Sequence, residues 1–213
     1  MKIIVLTPRY TIAGVPLAQV RFAQALASRG HEVELVIGYI EHGNKLPELK
    51  QMKVRNLSKP LVRSMFLPIM KIFLKGKPDI VFVAEDHLTI VTLFAAIFSF
   101  SKSKISGSSR VTPFDTYSDL LFSKGWFLKQ LMKIVMWRAN VLSCVSKDMV
   151  KQYATIFKKS PHICIYNIVD DIASRKKILE PIEHPWFKQK DCPIIVAAGR
   201  LAPWKGFENL IRI

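Results

Sequence analysis

Two stretches of this sequence put glycine and cations where a phosphate could be held. Gly199-Arg200-Leu201-Ala202-Pro203-Trp204-Lys205-Gly206 follows an apolar run and leads into a helical pattern. Arg200 can fork two hydrogen bonds to a phosphate and Lys205 adds a point charge, a pair suited to a departing pyrophosphate. A solvated basic turn would use the same residues. The segment TPRYTIAGVP, residues 7–16, stands between a first strand and a first helix. There, free backbone N–H groups and the helix dipole favour an anion, and Gly14 would let a ligand approach the backbone closely, although a simple turn reads the same way. Neither stretch contains GxGxxG or GxxxxGK[ST], which argues against a dinucleotide dehydrogenase and a P-loop nucleotidase.

The elements that must position these loops alternate. Short β-branched runs are separated by longer helical patterns, which predicts an α/β fold: a Rossmann-like parallel sheet flanked by helices. Strands are expected at Lys2 to Leu6, Glu32 to Ile37, Lys53 to Leu57, Ile80 to Ala84, Ile105 to Val111, Val141 to Val145 and His162 to Tyr166. Helical patterns cover Leu17 to Arg29, Leu61 to Lys75, Leu88 to Phe100, Trp126 to Arg138 and Lys147 to Phe157, with Gly30 closing the first. Residues 1–166 then form one domain. Residues 167–191, charged and punctuated by proline, read as an interdomain linker, and 192–213 as the start of a second domain opened by a strand at Pro193 to Ala198.

Composition narrows the class. Lys and Arg number 32 against 16 Asp and Glu, a formal charge of +16 that favours a polyanion, an anionic membrane surface or phosphorylated substrates. Cys144, Cys164 and Cys192 are far apart and set among apolar residues, without a spacing suited to zinc, so they read as reduced core thiols and no metal is expected. The N-terminal apolar run is too short for a signal peptide, and Leu88 to Phe100 is shorter than the ~20 residues a membrane span needs, which predicts a cytoplasmic protein. No nucleic-acid motif accompanies the basic charge, so nucleic acid is not the expected partner.

Four segments in order resemble family-4 glycosyltransferases of the GT-B fold. GRLAPWKGFENLI is similar to that family's donor loop, ASRGHEVELV to the element that ends its first helix, ANVLSCVSKDMVKQY to a strand and helix around a Val-Ser pair, and IYNIVDD to its interlobe segment. The resemblance implies an N-terminal, acceptor-side lobe followed by the start of the nucleotide-sugar lobe. It also implies retaining transfer of a sugar from a nucleotide-diphosphate sugar to a saccharide or lipid-linked acceptor, in surface polysaccharide or glycan biosynthesis, without a separate cofactor. Arg200 and Lys205, with Gly199, inherit the diphosphate contacts, and Gly14 lies on the same donor path.

Departures from the family pattern are as informative. The family places a histidine after a mid-lobe strand, where this chain has Ser108-Ser109-Arg110-Val111-Thr112-Pro113-Phe114-Asp115. Asp115 and Arg110 are the candidates to replace its contacts, Arg110 on the acceptor side; Asp115 reads equally as a cap of the next helix. His87, just beyond the strand at Ile80 to Ala84, is the second catalytic candidate. The family's Glu-x7-Glu pair is not reached within 213 residues, so the chain by itself is expected to be inactive. The other expectation from a different class is a non-catalytic acceptor- or polyanion-binding module. Finally, Leu61 to Lys75 and Phe122 to Arg138 mix cations with large apolar residues, as helices resting on an anionic inner membrane surface do, and also as ordinary half-buried helices do.

Overall fold

A computed structural model describes residues 1–11, 14–44, 46, 49, 51–157, 162–167, 172–188, 193–199, 201 and 203–212. The chain divides into two compact units, Met1–Ile168 and Val169–Ile213.

The first unit is a seven-stranded sheet with every neighbouring pair parallel. Its strands are β1 (Lys2–Tyr10), β2 (Glu32–Ile40), β3 (Lys53–Asn56), β4 (Ile80–Ala84), β5 (Lys104–Ser109), β6 (Val141–Cys144) and β7 (His162–Cys164), ordered β3-β2-β1-β4-β5-β6-β7. Ile3, Ile4, Val5 and Leu6 of β1 are all buried, as the continuous apolar run of a central parallel strand requires. Alternate side chains then feed two cores. Ile3 and Val5 join Val33, Leu35 and Ile37 beneath helix α1 (Gly14–Ala27), while Ile4 and Leu6 join the residues of the opposite helical layer.

That opposite layer comprises α2 (Phe66–Lys71), α3 (Asp86–Phe98), α4 (Pro113–Thr116), α5 (Lys124–Val135) and α6 (Lys147–Ile156). Met65, Ile69 and Phe73 near α2, Leu88 and Leu93 of α3, Met132 and Val135 of α5, and Tyr153 of α6 belong to one core. The segment around α2 is helical as expected, but in three pieces: a 3₁₀ turn at Val62–Met65, then α2, then a π turn at Ile72–Gly76 that ends at Lys77 with φ 41°. Ser123 caps α5 by accepting from the Trp126 N–H, and Ser146 caps α6 by accepting from the Met149 N–H. Gly30 takes φ 81° after α1, the left-handed turn anticipated for it.

Two expectations are corrected. Thr7 to Tyr10 is not loop: β1 continues through it, with Thr7, Arg9 and Tyr10 opposite Ile37, Tyr39 and Ile40. The pairing skips Pro8, which has no N–H to give, and a Cβ on the facing Gly38 would stand 2.3 Å from the Pro8 carbonyl oxygen. Within 167–191, the stretch read as a linker, the described residues carry two short helices, α7 (Ile172–Ile178) and α8 (Pro185–Lys188). Residues 193–198 form no strand, because an apolar run becomes one only against a partner and none lies beside it among the described residues. The second unit adds a 3₁₀ turn at Pro203–Lys205 and α9 (Phe207–Arg212).

Candidate functional site

The chain leaves β1 toward β2 on one side, whereas β4 lies on the other, so the strand order reverses between β1 and β4. In open parallel sheets ligands bind beyond the carboxyl ends of the strands at such a reversal. At that edge stand Arg9 near the end of β1, Glu85 and Asp86 directly after β4, Ser109 and Arg110 at the end of β5, and Asn167 beyond β7.

Glu85 is held in an unusual backbone state, φ 71° and ψ 139°, which a side-chain-bearing residue adopts only when its surroundings force it. The forcing bonds are visible. Its N–H donates to the Ser108 carbonyl at 2.9 Å, and its own carbonyl accepts from the Thr89 N–H at 2.9 Å and the Thr89 hydroxyl at 3.0 Å. Partial burial raises its pKa above the ordinary carboxylate range, and the neighbouring Asp86 pushes the same way, while the charges of Arg9 and Arg110 pull it back. Glu85 is therefore a strained, half-desolvated carboxylate in the field of Arg9 and Arg110, of which Arg9 pairs with Glu41 at 3.3 Å and Arg110 donates to Asn167.

Asp86 anchors this turn from below. It is buried and accepts from the Ser109 hydroxyl at 2.5 Å and the Tyr153 hydroxyl at 2.5 Å. Burial raises its pKa, and the two hydroxyl donors only partly offset that. The Tyr117 hydroxyl is buried beside Asp86 without a well-formed hydrogen bond, and burial together with the Asp86 charge raises its pKa. Arg110 donates to the Asn167 side-chain oxygen, and its Nε is buried without a partner. Below Arg110, between α1 and the sheet, is a small cavity of about 70 Å³, lined by Gln19, Phe22, Ser106, Ser108 and Ser143 with Asn167. That space suits two or three waters or one hydroxymethyl-sized group, with hydroxyl and amide groups on one wall and an aromatic ring on another.

The residues singled out in the sequence fall in different places. Arg110 is part of this edge. His87 is half-buried next to Asp86, and burial, reinforced by the charge of Lys124, lowers its pKa so that it is a neutral imidazole at pH 7. Asp115 is exposed on α4 and accepts from the Thr112 hydroxyl at 2.8 Å, a local side-chain contact at the start of the helix. Gly14 opens α1, and a Cβ there would meet nothing within 4 Å, so the backbone is open to approach. In the second unit Gly199 packs against the Phe207 ring, 3.3 Å from where its Cβ would be, and Lys205 is exposed before Gly206, whose φ is 69°. Arg200 lies outside the described residues. Glu85, Arg9 and Asn167 were not singled out for this edge by sequence reasoning, although Glu85 had one signal: a carboxylate immediately after an all-apolar central strand.

Comparison with solved structures gives matches at probability 1.00. Sucrose-phosphate synthase from Thermosynechococcus elongatus aligns over 99% of this chain and 58% of its own, with TM-score 0.65 and 12% identity. The lipopolysaccharide outer core galactosyltransferase WaaB aligns over 80% of this chain and 46% of its own, with TM-score 0.57 and 12% identity. HepE from Anabaena, solved with UDP and glucose, aligns over 84% of this chain and 49% of its own, with TM-score 0.56 and 14% identity. The fold is that of a GT-B N-terminal lobe. The chain spans about half the length of these structures. No protein-family model matches the sequence, and no curated protein matches it significantly. In the GT-B lobe the edge bearing Glu85 and Arg110 is the carboxyl edge of the sheet, and at 12–14% identity the likeness speaks for the fold.

Proposed function

We propose that this chain supplies the acceptor-side lobe of a glycosyltransferase that moves a sugar from a nucleotide-diphosphate sugar to a saccharide or lipid-linked acceptor hydroxyl. The observation that carries the reading is the gathering of Glu85, Arg9, Arg110 and Asn167 at the carboxyl edge of a sheet shared with a galactosyltransferase and with HepE solved with UDP and glucose. Glu85 accepts a hydrogen bond from the acceptor hydroxyl and takes its proton as the new glycosidic bond forms, a role helped by a pKa raised toward neutrality. Arg110 and Asn167 orient the acceptor. Arg200 and Lys205 neutralise the diphosphate as the bond from the sugar to its phosphate oxygen breaks. Retention of the anomeric configuration and a role in polysaccharide or glycan assembly belong to the same proposal.

The test is ligand-dependent melting of this chain, and of the chain joined to a complete nucleotide-binding lobe, with UDP, GDP and their sugars, followed by an assay for sugar transfer by the joined form. A ligand present at 100 times its Kd stabilises the native state by about 2.7 kcal/mol, so specific binding reads as an upward shift in Tm. No shift with any nucleotide sugar and no transfer would refute the proposal. A salt-sensitive shift with DNA in their place would favour a polyanion-binding module, the reading that the charge of +16 supports.

A further inference from the structure

The outer surface of the helical layer opposite α1 has an uneven chemistry. No carboxylate occurs between residues 59 and 78, between 87 and 114, or between 120 and 147, the stretches that contain α2, nearly all of α3, and α5. Arg63, Lys71, Lys75, Lys124 and Lys133 are exposed there, and none has an ion-pair partner among the described residues. Ion pairs of this unit gather elsewhere, Arg55 with Glu34, Lys53 with Glu32 and Arg9 with Glu41, while on α5 the buried Lys129 pairs with Asp119.

Large apolar side chains lie among these cations. On α2 and its π turn, Leu67 and Leu74 share the outward stripe with Arg63 and Lys71. The Phe66 ring meets Phe98 of α3 at 5.9 Å, and Phe98 itself is 63% exposed. On α5 the inner face is Met132 and Val135, yet Phe127, Leu131 and Ile134 repeat at helical spacing on the outer one, ending at Trp137, 71% exposed. Leu120, Leu121 and Phe122 extend the stripe before the helix, and Phe122 takes φ 59°. A helix apolar on both faces expects cover on both.

We propose that the outer surface of α2, α3 and α5 forms one composite docking face for an anionic phospholipid bilayer. Charge complementarity selects that occupant. A second copy would bring the same unpaired cations against these, whereas an anionic bilayer supplies phosphates to Arg63, Lys71, Lys75, Lys124 and Lys133 and acyl chains to Leu67, Phe98, Phe127, Ile134 and Trp137. No helix of the described residues is long and apolar enough to cross a membrane, so the contact is in the plane of the interface. The inference stands apart from sugar transfer, and its test reads lipid binding alone.

The experiment is co-sedimentation of the protein with vesicles of phosphatidylcholine, with and without phosphatidylglycerol, together with Trp fluorescence. Binding is expected only with phosphatidylglycerol, with a blue shift that is reduced in Trp137→Phe. Each surface cation adds roughly fivefold to the partition coefficient, so Lys71→Gln, Lys75→Gln and Lys133→Gln together should lower it about a hundredfold. Phe127→Ser with Ile134→Ser should weaken binding while leaving its dependence on phosphatidylglycerol. Circular dichroism confirms that each variant is folded. Equal binding to both vesicle types, unchanged binding by the triple variant, or concentration-dependent dimerisation without lipid binding would each overturn the proposal.

Discussion

Replacing Asp86 by asparagine and by alanine should give opposite results. In Asp86→Ala the Ser109 hydroxyl, now satisfied at 2.5 Å, loses its acceptor in the interior, while Tyr153 keeps the Val111 carbonyl at 3.3 Å. A buried polar group left unsatisfied costs about 1–3 kcal/mol, so Ser109 predicts a loss of that size. Asparagine keeps the shape. Its oxygen can accept from Ser109 and its amide can donate to the Tyr153 oxygen, which then turns its proton to the Val111 carbonyl 3.3 Å away. Because Asp86 carries a raised pKa, the native state holds that proton more tightly than the unfolded chain does. Its stabilising contribution is complete below the unfolded value of about 3.9 and is lost as pH rises through the native pKa. Asparagine has no charge to bury, so its stability relative to wild type should improve steadily as pH rises above about 4. Urea unfolding of all three proteins across pH 4 to 8 measures this, and taking differences between variants cancels the titration of every other group. An Asp86→Asn variant as damaged as Asp86→Ala, or a difference that does not move with pH, would refute the account of a partly compensated buried carboxylate.

Glu85→Gly should hold or raise stability, because relief of about 1–3 kcal/mol of backbone strain outweighs the added freedom of glycine, while Glu85→Gln, with no charge to desolvate, should abolish any acceptor-dependent transfer without lowering the urea midpoint. Gly107→Ala should cost about 1–3 kcal/mol by overpacking, since a Cβ there falls 2.6 Å from Thr89 Cγ2 and 2.8 Å from Leu142 Cδ2. His162, which burial lowers to about 4, should withdraw stability as pH falls from about 6.5 toward 4, and His162→Phe should flatten that part of the profile. Cys144, whose thiol burial pushes up to about 12, should resist alkylation at pH 8 until the protein unfolds, whereas the less buried Cys164 reacts in the native state.

The sheet was legible in the sequence because its signals are local: β-branched runs such as Ile80 to Ala84 need only their own composition, and Gly30 needs only the end of a helix. Failures came where a neighbour decides the outcome. Thr7 to Tyr10 reads as a loop through its polar residues and proline, and becomes strand because β2 runs alongside with a glycine at the crowded point. Residues 193–198 have strand composition and no partner. The site was half legible for the same reason. Arg110 stood out in the stretch replacing a family histidine. Glu85 hides as one more charged residue at a helix start, because neither its φ of 71° nor the approach of Arg9, 76 positions away, is encoded in adjacent residues. Asp115 shows the converse: its spacing to Thr112 is that of a cap, yet its carboxylate accepts from the Thr112 hydroxyl and no side-chain cap of α4 is formed.

The order of strands in the sheet also sets a schedule for synthesis. β1 is made first but lies between β2 and β4, and its residues Ile3 to Leu6 pair with Ile80 to Val83. At about 5–20 residues per second, the interval between the two strands leaves one apolar edge of β1 open for several seconds to a quarter of a minute after it leaves the ribosome. During that time the exposed edge can recruit a β1 from another nascent chain, since parallel pairing needs nothing that a neighbour lacks. Slower translation should therefore lower the yield of folded protein, and a chaperone acting on nascent chains should restore it. The gain should be greatest for truncations ending before Ile80, where β1 has only β2 to pair with.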